Sequence, residues 1–340
     1  MNGLPQENLQ TDHDLNPVAR LAALAGADME RVEALITERM GSDTALIPKV
    51  ARYLVEAGGK RIRPLITVAS ARMLGYEGDG HHALAAAVEF IHSATLLHDD
   101  VVDDSEMRRG RRPANQVWGN AHSVLVGDFL FARSFMLMVD AGSMDALHVL
   151  SRAAAVIAEG EVRQLAAVRN IDIGVDTYME IIDAKTAALF AAAAQVSPIL
   201  AGSGQGLETA LETYGRALGL AFQLVDDALD YGGLAKDLGK NTGDDFAEGK
   251  MTLPVALAIE KADADELAFW RRVITTPSRQ TEADFDHAVA ILNKHGALDA
   301  TLSAARDHAA RAISALDQAP SNIWTESLAA LAEFVVERAY

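Results

Sequence analysis

Apolar residues recur three and four apart along almost the whole chain, and alternating β-branched runs are scarce. That period belongs to helices rather than strands. Asn16 followed by Pro17 reads as an N-cap with proline at the first helical position. Gly58, Gly59 and Pro64 interrupt a helical stretch over residues 48–74. Long helices are predicted over 83–105, 115–139, 146–168, 177–200 and 207–231, followed by a polar, glycine-containing segment over 232–250. Shorter helices are predicted over 253–261, 264–274, 283–294, 298–316 and 323–338, with Thr281 and Asp284 at capping-box spacing. Alanine runs at 85–87, 153–155 and 191–194 favour helix and let helices approach closely. No linker or fixed-period repeat divides the chain. The expectation is one all-α domain over residues 16–340, with residues 1–15 flexible.

Composition narrows the function. The chain has 340 residues, 50% of them hydrophobic and 23% charged, which suits a globular protein and not a disordered one. Its net charge of −18 repels phosphate backbones, so nucleic-acid binding is not expected. With no cysteine there is no disulfide, no thiolate metal site and no cysteine nucleophile. The opening residues, MNGLPQENLQTDHD, lack the basic and apolar regions of a secretory signal. No transmembrane segment is expected: the apolar stretch 187–200 is short, contains Gln195 and Ser197, and is broken near its end by Pro198. These features read as a cytoplasmic protein.

Two acidic clusters stand out. In the first, Asp99 and Asp103 lie one helical turn apart on one face, with Asp100 about 100° around the axis. In the second, Asp226, Asp227 and Asp230 repeat that spacing, and both clusters follow apolar runs. Carboxylates ending such helices are costly unless a cation meets them. Oxygen-only ligands favour Mg²⁺ or Mn²⁺, and Mg²⁺ prefers to be completed by substrate phosphates. A single cluster reads equally well as a solvated helix end; two matching ones point to a diphosphate held between facing helices.

Basic groups fit the same picture. Gly58-Gly59-Lys60-Arg61-Ile62-Arg63-Pro64 concentrates cations in an acidic chain, and Arg63 can grip phosphate oxygens bidentately. Arg108 and Arg109 follow the first cluster; Lys185-Thr186 lies within an alanine-rich helix; Lys240 and Lys250 bracket Asp244-Asp245. Read alone, each has a plainer account as a solvated or charge-neutralising cation. Gly202-Ser203-Gly204-Gln205-Gly206 lacks the lysine of a phosphate loop and follows a helix, so it reads as a linker. His92 and His98 are six apart and face different sides, a poor metal pair.

Together these residues, in this order, resemble the trans-polyprenyl diphosphate synthase family, and the stretch from Glu89 to Asp100 looks most like the octaprenyl and related long-chain members. The resemblance implies the isoprenoid synthase fold, a helical bundle around a central cavity, usually as a homodimer. It implies consecutive head-to-tail condensation of isopentenyl diphosphate onto an allylic primer of the farnesyl or geranyl type. By this likeness Asp99, Asp103 and Asp226 hold three Mg²⁺ ions, with Mn²⁺ a possible substitute, and Asp100, Asp227 and Asp230 support them through water or from behind. Lys60, Arg63, His92 and Arg109 would hold isopentenyl diphosphate. Arg108, Lys185, Thr186, Gln223 and Lys240 would hold the allylic diphosphate, with Lys250 closing the loop; Arg108 and Lys185 count with the aspartates as catalytic. Met251 departs from the proline that many relatives carry between lysine and threonine.

Small side chains before the first cluster bear on product length. Thr95 and Ala94, with Ile91 further along, are expected to wall a tail tunnel without an aromatic floor, which implies a C40–C50 product for quinone side chains. Phe131, Phe135 and Met136 are candidate floor residues. The alternatives are a C15–C20 synthase and a non-catalytic partner subunit. A hydrophobic product could also draw the enzyme transiently to a membrane.

Overall fold

The computed structural model describes residues 16–56, 59–104, 107–108, 110–232 and 243–337. Residues 1–15, expected to be flexible, lie outside the described residues, as do Arg109 and Lys240. The chain runs through α1 (Pro17–Leu24), α2 (Gly26–Arg39), α3 (Leu46–Glu56), α4 (Ile62–Met73), α5 (Gly80–Val102), α6 (Ala114–Trp118), α7 (Asn120–Asp140) and α8 (Met144–Ala167). It continues with α9 (Val175–Ile182), a π-helical turn (Asp183–Ala187), α10 (Ala188–Ala201) and α11 (Gln205–Tyr231). Then come α12 (Asp244–Glu248), α13 (Leu253–Ile259), α14 (Ala264–Thr275), α15 (Glu282–Lys294), α16 (Ala297–Ala315) and α17 (Ile323–Glu337). No strand occurs among the described residues, as the periodicity requires.

Local chemistry starts these helices where the sequence places them. Asn16 accepts a hydrogen bond from the Ala19 amide at 2.9 Å, ahead of Pro17. Thr281 and Asp284 form the expected capping box. Three expectations are corrected. Residues 115–139 are not one helix, because Gly119 at φ 87° turns the chain between α6 and α7. Pro64 does not interrupt a helix; it sits in the first turn of α4, where its missing N–H has no intrahelical bond to lose. Pro198, likewise, is carried inside α10, which continues to Ala201.

The main core gathers around α5, whose residues Leu84 to Val88 are fully or almost fully enclosed by α2, α4, α7 and α10. A second, smaller core joins α13, α14 and α15 around Trp270 and Ile274. Charged ties lock the N-terminal helices onto α5. Arg61, which ends the loop before α4 at φ 47°, pairs with Glu33 and with buried Glu89. Arg72 of α4 and His82 of α5 both donate to Asp28 of α2.

His81 is fully buried beside that group, 3.8 Å from the His82 ring centroid and 3.4 Å from Asp28 Oδ1. Burial, aided by His82 and Arg72, pushes its imidazole down to about 4. The unfolded chain takes up that proton near 6.5, so the contribution is intact above 6.5 and is lost as pH falls through the window down to 4. Thermal melts at pH 7.5 and pH 5 are expected to show His81→Phe losing less stability on acidification than the parent, by on the order of 2 kcal/mol. Equal losses would assign the acid sensitivity elsewhere.

Candidate active site

Both aspartate arrays sit at C-terminal helix ends. Asp99 and Asp100 occupy the last turn of α5, and Asp103 is its C-cap. Asp226, Asp227 and Asp230 occupy the last turns of α11. The helix dipole is negative there, so the arrays add charge to an already negative end. Burial pushes the Asp99 carboxyl up, against the pull of Lys185. Burial and the nearby Asp245 push Asp227 and Asp230 up to about 7. Carboxylates held in this way gain most when a cation arrives.

Glycines bring the walls together. On α11, Gly215, Gly219, Gln223 and Asp227 follow at successive turns. A Cβ at Gly215 would overlap the Phe190 carbonyl and lie 2.8 Å from Ala191 Cα, and one at Gly219 would lie 2.8 Å from Ala187 Cα. On α8, a Cβ at Gly160 would lie 2.8 Å from Ala184 Cβ. The π-helical turn is thus gripped from both sides. From it Lys185 reaches Glu161 Oε2 at 2.9 Å and Asp99 Oδ2 at 3.6 Å, while the Thr186 hydroxyl donates to Gln223 Oε1 at 2.9 Å. Adjacent residues therefore face the two aspartate helices, a use for which π turns are suited.

A second lysine spans the same gap. Lys250 Nζ lies 3.4 Å from Asp103 Oδ2 and 3.8 Å from Asp245 Oδ1, and it also pairs with Glu248. Against the opposing effect of burial, these neighbours push the ammonium well above its ordinary range, keeping it charged. Asp245 is in turn pushed up by burial first and then by nearby carboxylates, Asp226 among them. The arrays therefore share one cleft. A cavity of about 160 Å³ opens there, with Tyr178, Lys185, Thr186, Gln223, Asp227 and Lys250 among its lining residues. Beside Asp99 a larger apolar cavity of about 590 Å³ runs between α5, α7 and α8, lined by Thr95, Phe131, Phe135 and Ile157 among others.

The polyprenyl synthetase family model matches residues 44–292. The chain belongs to the polyprenyl synthetase family. It is 47% identical to octaprenyl diphosphate synthase of Escherichia coli K12 over 319 residues, covering 94% of this chain and 98% of that one. Among solved structures, a polyprenyl synthase of Caulobacter crescentus CB15, complexed with calcium and isoprenyl diphosphate, shares 56% identity at a TM-score of 0.91, covering 95% of this chain and 98% of that one. A decaprenyl diphosphate synthase of Rhodobacter capsulatus shares 53% identity at a TM-score of 0.92, with coverage of 95% and 100%. The chain is accordingly a prenyltransferase with the isoprenoid synthase fold.

Within this synthase Asp227, Asp230 and Asp100 have distinct surroundings. Asp227 accepts from the Tyr178 hydroxyl, from Gln223 Nε2 at 2.9 Å and from the Leu253 amide at 3.4 Å. Asp230 accepts from the amides of Gly243, Asp244 and Asp245 and so caps α12. Asp100 is fully buried and paired with Arg108. Arg63 stacks on the Phe190 ring at 4.3 Å, one turn beyond Thr186, and Lys60 lies 5.8 Å from the Phe334 ring. His92 is half-buried on α5. Of the three residues expected to wall the tail tunnel, Thr95 lines the apolar cavity, whereas Ala94 and Ile91 are fully enclosed in the main core. Met136 is absent from that lining, which includes Phe131 and Phe135.

Glu161, Tyr178 and Asp245 were missed by sequence reasoning. Glu161 had one signal, its place beside a glycine in a helix otherwise rich in alanine. Tyr178 stands two turns before Lys185, a spacing that carries no chemistry until Asp227 is seen across from it. The chemistry of the side chains fits a divalent ion: Asp99, Asp103 and Asp226 could offer hard oxygen donors, a shell that phosphate oxygens would complete.

Proposed function

We propose that this prenyltransferase condenses isopentenyl diphosphate repeatedly, head to tail, onto an allylic diphosphate to make a long trans-polyprenyl diphosphate of C40–C50. The observation that carries this reading is the junction at Asp99, where the carboxylate–lysine cleft meets the apolar cavity. Diphosphate belongs on the charged side and the growing hydrocarbon on the other.

In this reading Asp99, Asp103 and Asp226 hold Mg²⁺, three ions in all, with Mn²⁺ a possible substitute. When bound, these ions neutralise the leaving diphosphate and favour breaking of the allylic carbon–oxygen bond. Lys185, Thr186, Gln223, Lys250, Lys240 and Arg108 bind the allylic diphosphate, while Lys60, Arg63, His92 and Arg109 bind isopentenyl diphosphate. Fixing both substrates lets the isopentenyl alkene attack the allylic carbon as its bond to oxygen breaks. A proton is then lost from the adjoining carbon, and the released diphosphate is the acceptor. Lys250, reaching from beyond α12 to Asp103, helps exclude water from the cation.

The exposed apolar side chains Leu125, Phe135, Met136 and Val139 of α7 support a homodimer formed over that helix. α7 is long and apolar enough to cross a membrane by length and composition, as is the continuous helix Val175–Ala201, but the latter is 72% buried in the core. The reading includes a cytoplasmic enzyme that meets the membrane only to release product. Both aspartate arrays are complete, which argues against a non-catalytic partner subunit. Purified chain incubated with Mg²⁺, farnesyl diphosphate and labelled isopentenyl diphosphate is expected to yield C40–C50 products, and none in the presence of a chelator. Products ending at C15–C20, or activity only with a second protein, would overturn the reading.

A further inference from the structure

The wall of the apolar cavity beside Asp99 carries a polar ring that the mechanism leaves unused. His98, on α5, lines the cavity with Thr95 and Val102. Its Nε2 faces two acceptors on α7, the Val124 carbonyl at 3.2 Å and Asp128 Oδ1 at 3.4 Å. Nε2 therefore carries the proton and tethers the ring to α7. Between those two residues stands Gly127, which is buried. A Cβ there would lie 2.6 Å from His98 Cδ2 and 3.2 Å from Cε1, and closer still to Nε2. The imidazole occupies the space an alanine methyl would fill.

A glycine inside a helix costs about 1 kcal/mol relative to alanine. At Gly127 no positive φ calls for it; the seated ring does. Helix α7 has no freedom to retreat, because it packs along α5 and the Ser123 hydroxyl donates to the Leu97 carbonyl at 2.9 Å immediately beside this contact. A side chain at 127 must displace the ring instead, and the space next to the ring is the cavity.

We propose that His98, seated on Gly127, is a specificity-determining residue that sets the clearance for the first isoprene units of the allylic tail as they leave the diphosphate site. The proposal rests on the reading of this cavity as the tail site. Gly127→Ala is expected to lower kcat/KM for farnesyl diphosphate roughly tenfold and to shift products shorter by at least one isoprene unit. His98→Ala in the same chain is expected to restore both, which a general packing defect would not allow. His98→Ala alone leaves α7 intact and should lengthen the products, so the proposal stays testable if Gly127→Ala fails to fold. An unchanged product distribution in Gly127→Ala, no rescue by the double substitution, or no change in His98→Ala would overturn it. Thr95→Phe, made in parallel, separates the two levels. If it shortens the product while the Gly127 and His98 variants behave as the parent, this inference alone fails. If it changes nothing, the cavity does not hold the tail and both readings fall.

Discussion

Asp99→Ala is expected to reduce turnover by on the order of a thousandfold or more while leaving the fold intact. Asp99 is the carboxylate at which the charged cleft and the apolar cavity meet, and its contact with Lys185 at 3.6 Å ties the first aspartate helix to the π-helical turn. Its burial is unfavourable for the charged form, so its removal is not expected to lower the melting temperature. What would disappear, on the proposed function, is a ligand to the ion that stabilises the leaving group. Several kcal/mol of transition-state stabilisation correspond to roughly three to five powers of ten in rate. Steady-state assays with a melt of the same preparation make the check. A variant with near-parental kcat at unchanged magnesium dependence would remove Asp99 from the proposed metal site.

The second large effect is on stability. Gly215→Ala is expected to cost about 3 kcal/mol despite the gain in helix propensity of about 1 kcal/mol. The new methyl would overlap the Phe190 carbonyl and press on Ala191 Cα, and these are backbone atoms that have no rotamer to change. Gly206→Ala, on the same helix, meets nothing nearer than 3.6 Å and should be neutral or mildly stabilising. The contrast between two identical substitutions, read by denaturant or thermal unfolding, isolates the close approach of α11 to α10. Gly215→Ala should also raise KM for the allylic substrate, because Gln223 and Asp227 continue the same face. A melting temperature equal to that of Gly206→Ala would mean that the helices tolerate separation.

Most helices could be read from periodicity because each buries a stripe at helical spacing, and the caps at Asn16 and Thr281 are local chemistry. The errors have a common source. A lone glycine inside an apolar pattern does not announce its φ, so Gly119 was absorbed into a helix that it in fact ends. The π turn at Asp183–Ala187 adds one residue to a turn and leaves the apolar period almost unchanged, yet it is what lets Lys185 and Thr186 face different helices. Residues that form the cleft were legible where charge type and spacing coincide, as in both aspartate arrays. Glu161 and Tyr178 were not, since their meaning comes from partners 24 and 49 positions away. Arg61 stands in the same basic stretch as Lys60 and Arg63, and its sequence neighbours do not reveal that it is committed to Glu33 and Glu89. Ala94 and Thr95 were expected side by side on one wall, and only tertiary packing separates them: Thr95 lines the apolar cavity, while Ala94 lies in the main core.

The position of both aspartate arrays at the tails of α5 and α11 has a consequence for how substrate arrives. A bare diphosphate approaching these ends meets negative dipoles and carboxylates of its own sign, on a chain whose net charge is already −18. The same molecule chelated by magnesium reverses the sign of the encounter. Metal and substrate should therefore enter as one complex, and an excess of uncomplexed diphosphate should compete poorly for the empty enzyme.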